Sequence, residues 1–465
     1  PDKHDQTLVI WAMSNNRKRV NWKLVGVGCG LQLAFAVIIF WMPGGQEVFE
    51  IANTVFNKLI GFTNDGADFL FNSFVTGKRS LGNINFAFNV LPTIIFFSSL
   101  MTILYHIGIM QFIVKAFAWV MQKAMGTSGA ESLSAAANIF VGQTEAPLVV
   151  KPFIDKMTMS ELMTVMTGGF ATVAGGVLAA YVGMLNQYFP DIAGHLIAAS
   201  VLSAPAALVI GKIMYPETEV PETLGELKMS VEKPDANVIE AAARGASEGL
   251  TLALNVGAML LAFIAIIYGL NYLLGFPSFF YNGLQLDTLL DFYASSNLAI
   301  PAECGALGAD GAAVRVAQDA AIGTCIDTMG TVTGAPAVGQ LGVLTFQDLL
   351  GWLFSVIAFI MGVPWEDCFE IGKLLGIKMV LNEFVAYKEL ADLLAAGTPL
   401  NKRSVIIATY ALCGFANFSS IAIQIGGLGG IAPRRRSDLA KLGLRAMIAG
   451  TLAAFMTATI AGILV

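Results

Sequence analysis

The chain has 465 residues, of which 56% are hydrophobic and only 13% charged, with a net charge of -6 and a mean hydropathy of +0.69. Soluble globular chains carry about 25% charged residues, so a soluble protein is excluded, and no basic face for nucleic acid is present. Five cysteines without a CxxC pair and three histidines without HExxH remove the usual equipment of zinc, redox and His-based catalysis. Apolar runs recur along the whole length and reach the ~20 residues that cross a bilayer core. The reading is a polytopic, all-α integral membrane protein.

The chain opens on Pro1, so the true N-terminus is expected upstream, and Thr7 to Met13 reads as the tail of a span. A full span is expected at Leu24 to Trp41. An amphipathic stretch from Glu47 to Ser73 is read as lying in the interface. Phe86 to Ile109 is a strong span, and Gln111 to Met125 a peripheral helix with Lys115 and Lys123 on one side. Glu131 to Asp155 is too polar and too proline-broken to span. Met157 to Gln187 is apolar but full of small residues, Ala193 to Met214 is a plain span, and Tyr215 to Ala243 is an acidic, proline-rich loop. Leu250 to Leu274 is a further span. Gly283 to Leu344 reads as a long external connection holding Cys304 and Cys325, which are expected either paired or as two free thiols. Helix resumes at Phe346 to Met361. Trp365 to Leu390 is a second over-polar segment, Val405 to Leu428 a second small-residue-rich span, and Leu439 to Val465 closes the chain.

The late segments replay the early ones: residues 131–214 and 366–465 each hold a Glu-bearing interrupted segment, a broken span and a plain span. Broken helix is tolerated in hydrocarbon only where protein or a water-filled cavity receives its backbone groups. Paired broken segments in two halves therefore point to a transporter of inverted repeats with its site at their interface. The Lys/Arg clusters at Arg17–Lys23, Lys212–Arg244 and Arg434–Arg436 can all be cytoplasmic if both interrupted segments re-enter without crossing. Lys78, Arg79, Lys402 and Arg403 depart from that rule.

Ionisable residues inside such segments are costly and mark function by default. Glu145, in "VGQTEAPLVV", and Glu383, in "LNEFVAY", occupy matching positions, each beside amides or hydroxyls (Gln143, Thr144; Asn382). The competing reading places both in wet interfacial loops. Phe415, Asn417, Ser419 and Ser420, read as lying inside a helix, offer an aromatic face with amide and hydroxyl, as a sugar or base pocket needs. Interhelical hydrogen bonding is their alternative role. Asn138 and Thr172 beside Gly175 and Gly176 offer the oxygens that a hard cation such as sodium takes at a helix break, or else simple close packing. His106 and His195 read as hydrogen-bonded helix-end residues, and "GVGCG" (Gly26 to Gly30) as a helix-packing stripe.

"NIFVGQTEAPLVVKPF" (Asn138 to Phe153), "LNEFVAY" and "YALCGFANFSSIAIQIGG" (Tyr410 to Gly427) closely resemble the concentrative nucleoside transporters, and the resemblance covers nearly the whole chain. It implies about eight transmembrane helices plus two re-entrant hairpins in a homotrimer, with a scaffold and a mobile transport domain. Residues 1–130 and 215–365 would be scaffold and connections; 131–214 and 366–465 would be the two repeats of the transport domain. By the same resemblance Gln143, Thr144, Glu145 and Val177 face the base, and Glu383, Phe415, Asn417 and Ser420 hold the ribose. Sodium would lie at Asn138, Val141, Thr172 and Val173, the valines through carbonyls. Thr172 stands where the family pattern leads one to expect serine. A sodium-coupled importer of uridine-like nucleosides in a bacterial inner membrane is the function so implied. A proton-coupled symporter and a passive facilitator are its alternatives, and a membrane hydrolase lacks a catalytic dyad.

Overall fold

The computed structural model describes residues 11–71, 91–226, 235–296, 298–301, 304, 319–331 and 344–464. Lys78, Arg79, Lys228, Lys233, Arg315 and part of the expected 283–344 connection lie outside them. Among the described residues the structure is helical, and the one β-bridge joins Ser128 to Leu224. Two compact units are distinct, residues 1–260 with 351–465, and residues 261–350.

The first unit begins with α1 (Trp22–Trp41), started by the Asn21 side chain, which accepts from Leu24 N. Gly28 of the "GVGCG" stripe packs so closely on Val209 that a Cβ would stand 2.3 Å from its methyl. Helix α2 (Pro43–Phe71) is amphipathic, as its sequence predicts. Helices α3 (Leu91–Ile107) and α4 (Ile109–Met125) meet at an 80° bend. Gly108, at φ 94°, makes the bend possible because a left-handed backbone suits glycine.

Next comes α5 (Gly129–Ala137), a non-helical stretch at its C-terminal end, and two short turns, Ala146–Val150 and Lys151–Ile154. Helices α6 (Met159–Ala171) and α7 (Gly175–Leu185) form one span broken at Thr172, and α8 (Ile192–Met214) follows. Past the second unit come α12 (Cys368–Val380), α13 (Glu383–Ala395), the broken pair α14 (Lys402–Leu412) and α15 (Phe418–Ile431), and α16 (Arg436–Leu464). The order helix–break–helix, broken span, plain span thus occurs twice, as the sequence pattern implies.

Helices α6 to α8 are sheathed by protein, with 89% of their apolar stretch buried against 28% for α1. The core, which includes Leu162, Phe170, Val209, Ile213, Met447 and Ala453, sits where α6, α8 and α16 pack together. Five helical segments of the described residues are long and apolar enough to cross a membrane, six if α3 and α4 count as one bent span.

Two expectations need correction. Residues 215–243 are not all loop, and the span does not begin at Leu250 or end at Leu274. One helix, α9, runs from Val238 to Ser295, with Pro277 inside it. It starts early because Asn237 Oδ1 accepts from Glu240 N, a cap that outweighs the loop-like composition just before it. The Gly283–Leu344 stretch, expected as a long connection, holds helix among its described residues. It contains the end of α9 and α10 (Asp319–Gly330), and Cys304 and Cys325 form a disulfide beside Leu286, Leu289 and Tyr293. Helix α11 (Phe346–Ile360) then leads back into the first unit.

Candidate solute site

Both breaks in the paired spans face each other. Thr172 closes α6 in extended conformation, and its carbonyl accepts from Phe415 N at 3.2 Å, within the break between α14 and α15. Gly414, at φ 149°, makes this crossing possible: a Cβ there would lie 2.7 Å from Phe170 O. Beyond the breaks, α7 and α15 start afresh, and α13 starts at Glu383. Each new helix presents unpaired amides and the positive end of its dipole. Asn382 and Asn417 cap α13 and α15 by accepting from Val385 N and Ser420 N, both at 2.9 Å. Asn417 therefore caps a helix start and does not lie inside a helix, while Ser419 and Ser420 fall in the first turn of α15. Gly414 breaks the run that composition presents as continuous.

These three N-termini border a cavity of about 690 Å³, its open mouth included. Gln143, Thr144 and Glu145 line it from the stretch after α5, with Glu145 on its exposed side. Val177 lines it from α7, Glu383 from α13, and Phe415, Asn417 and Ser420 from the second break. All eight residues expected to contact solute are thus on one cavity.

Glu383 is only 5% exposed, and each of its oxygens accepts one hydrogen bond. Its Oε1 accepts from the Tyr181 hydroxyl at 3.0 Å and its Oε2 from Asn417 Nδ2 at 2.9 Å. Ser419 Oγ donates to Asn417 Oδ1 at 2.7 Å, closing a chain of polar groups along one wall. Thr144 Oγ1 donates to Glu145 at 3.1 Å, and Thr144 packs on Gly427 of α15. The opposite wall is apolar: Leu252, Val256 and Met259 of α9, with Ile423. One polar wall and one apolar wall suit a solute with a flat face and an edge of hydroxyls.

The expected cation ligands lie beside this cavity, at the first break. Asn138 ends α5 at 1% exposure; its Nδ2 donates to Ser134 O at 3.0 Å, while its buried Oδ1 has no protein donor. Ser134 Oγ is buried in the same condition. Thr172 Oγ1 donates to Gly168 O at 3.0 Å, which leaves its own lone pairs available. Val173 is buried and Val141 half-buried. Buried acceptors with no donor are costly, and a hard cation would satisfy them.

Sequence reasoning missed Tyr181 and the three α9 residues. Tyr181 sits four residues after Val177, hence on the same helical face, which was a usable signal. Leu252, Val256 and Met259 share a face by spacing too, but α9 is apolar nearly all round, so nothing in its sequence singles that face out. His195 is held between the rings of Phe49 and Phe189 and meets Tyr410 Oη at 3.3 Å.

Comparison with known proteins decides the class. The family model for the Na+ dependent nucleoside transporter C-terminus matches residues 195–298 and 315–462, its N-terminal counterpart matches 7–74, and a nucleoside recognition "Gate" domain matches 87–188. This chain belongs to the Na+-dependent nucleoside transporter family. It is 41% identical to an uncharacterized transporter of Haemophilus influenzae, over 97% of this chain and 94% of that one. It is 37% identical to mouse solute carrier family 28 member 3, over 98% of this chain and 57% of the longer relative. The solved structure of CNTnw in an inward-facing substrate-bound state shares 38% identity and a TM-score of 0.78, covering 99% and 95% of the two chains. The protein is therefore an integral membrane transporter and not an enzyme.

Proposed function

We propose that this transporter is a symporter that imports uridine-like nucleosides across a bacterial inner membrane, each with sodium. The carrying observation is the cavity in which Glu383 is held by Tyr181 and Asn417, next to the donor-free Oδ1 of Asn138. Glu383, Asn417 and Ser420 would take the ribose hydroxyls, since carboxylate and amide can both accept from a vicinal pair. Gln143, Thr144 and Glu145 would meet the polar edge of the base, with Val177 and Phe415 against its face. Sodium would be held by Asn138, the Thr172 hydroxyl, and the carbonyls of Val141 and Val173, and when bound it would supply a fixed positive charge beside the base-contacting stretch.

Two re-entrant hairpins, α5 with its following turns and α12 with α13, and eight membrane spans in all complete the proposed architecture. Residues 131–214 and 366–465 would move as a transport domain in an elevator-like step against the remainder. Exposed apolar side chains such as Trp41, Phe112 and Leu254 support surroundings of lipid or of further subunits, in keeping with a homotrimer. Proteoliposomes loaded with choline buffer test the reading: an inward sodium gradient should concentrate labelled uridine inside. Equilibration without concentration would make the protein a facilitator, and accumulation driven only by an acid exterior would make it a proton symporter.

A further inference from the structure

The second repeat holds a buried charge that the site above does not use. Lys378, on the last turn of α12, is 1% exposed, and its Nζ donates to Ala411 O at 2.7 Å. Ala411 is the penultimate residue of α14. The end of a helix leaves carbonyls unpaired and carries the negative pole of its dipole, so a cation is favoured there. An isolated buried ammonium would be prohibitive, and the helix end and the carboxylate offset part of that cost. Glu383 lies within electrostatic reach of Lys378.

The first repeat builds the same junction without a lysine. The helix before its break, α5, ends at Asn138, which lies against Gly168 in the last turn of α6: a Cβ on Gly168 would stand 3.2 Å from Asn138 Nδ2. Asn138 Oδ1 is there left without a donor. In both repeats, then, a hairpin helix meets the C-terminal end of the first half of a broken span. One meeting point holds an ammonium, and the other holds a donor-free oxygen. Each repeat also contributes one carboxylate to the cavity, Glu145 or Glu383.

We infer that the Lys378 ammonium is a tethered cation occupying, in the second repeat, the seat that sodium takes in the first, so that one exchangeable cation accompanies each nucleoside. The inference rests on the sodium reading and deepens it by fixing the stoichiometry. Glu383 is balanced by a charge that never leaves, and Glu145 by one that must arrive with the substrate.

The test is equilibrium binding of labelled uridine to the purified protein over a sodium series, with choline holding ionic strength constant. The parent should show a Hill slope in sodium of about one. Lys378→Ala, which empties the seat, should bind uridine at least about tenfold more weakly at low sodium, with a slope rising toward about two as a second ion enters. Lys378→Arg should keep the parent slope, and neither that result nor the parent slope depends on Lys378→Ala folding. A merely structural lysine would lower stability in the alanine variant without steepening the sodium curve, and that result would overturn the inference. A parent slope near two would overturn it as well, while leaving sodium coupling intact. Uridine binding indifferent to sodium would instead remove the sodium reading, and this inference with it.

Discussion

Glu383 is held by two donors before any solute arrives, Tyr181 at Oε1 and Asn417 at Oε2. Each oxygen keeps a second acceptor site, so the carboxylate is already oriented for a pair of vicinal hydroxyls. Hydrogen bonds to a charged acceptor contribute roughly 1.5–3 kcal/mol each. Glu383→Gln replaces one acceptor with a donor that must confront Tyr181 or Asn417, and it should weaken uridine binding at least about tenfold. Tyr181→Phe keeps the buried ring stacked on Tyr387, whose centroid is 4.2 Å away, and removes only the hydroxyl. Its expected cost is smaller, roughly three- to tenfold, because the carboxylate loses a support and not its charge. Calorimetric titration of both variants with uridine, and with uracil as the ribose-free control, measures these effects. Equal uridine affinity in Glu383→Gln and parent would take Glu383 out of the pocket.

At the scale of elements, the crossing of the two broken spans carries the site. Gly414 stands at φ 149° with Phe170 O and Ala171 O where a side chain would go. Gly414→Ala should cost about 2 kcal/mol or more, since strain and steric overlap act together, and a lowered melting temperature in detergent would register it. A second junction ties the non-cavity ends of the first repeat together. Ser128 and Thr158 cap α5 and α6 with Glu131 and Glu161, and Lys212 of α8 bonds Glu131 at 2.8 Å and Glu217 at 3.0 Å. Burial alone would push Glu217 up, but the Lys212 ammonium and the donated bonds from Lys212 and Thr158 outweigh it and hold the carboxyl below its usual range. A depressed carboxylate stabilises the fold above its unfolded pKa, and that contribution vanishes as pH falls through the folded value. Thermal stability should therefore drop under acid conditions less steeply in Glu217→Gln than in the parent. Much of this was legible in the sequence, for a specific reason. Gln143, Glu145, Glu383 and Asn417 are too polar for their apolar surroundings, so a membrane chain betrays its site by its exceptions. What stayed hidden was direction. Asparagine within an apolar run is equally compatible with helix interior and helix cap, and the bond its side chain accepts from Ser420 N, after the break at Gly414, assigns Asn417 to the start of α15. The length of α9 was hidden as well, because the apolar run that marks a span covers only Leu250 to Leu274, and the helix continues into less apolar residues on both sides.

Over the whole molecule, the question is how one solute's binding reaches the other. The stretch from Asn138 to Glu145 carries the donor-free Oδ1 at one end and cavity-lining groups at the other, seven residues apart. Phe140 O accepts from Gly175 N at 3.1 Å, and residues 142–146 are drawn into a tight turn by the bonds from Glu145 N and Ala146 N to Gly142 O. The stretch is thus short, turned and anchored on the start of α7, so ordering one end restrains the other. A cation seated between Asn138 and Thr172 would order the cavity-lining end before the nucleoside arrives, which lowers the conformational cost that the nucleoside meets. Sodium should therefore raise uridine affinity, and linkage requires uridine to raise sodium affinity by the same factor. Couplings of this kind are typically about 5–150-fold. Asn138→Ala and Thr172→Val should each abolish the sodium gain while keeping a cooperative thermal transition, because neither removes a core contact of comparable size. Paired titrations, uridine with and without sodium and sodium with and without uridine, measure both factors in each protein. Factors of about one in both directions in the parent would mean that the sites are not linked at equilibrium. A sodium gain surviving in both variants would move the cation away from Asn138 and Thr172.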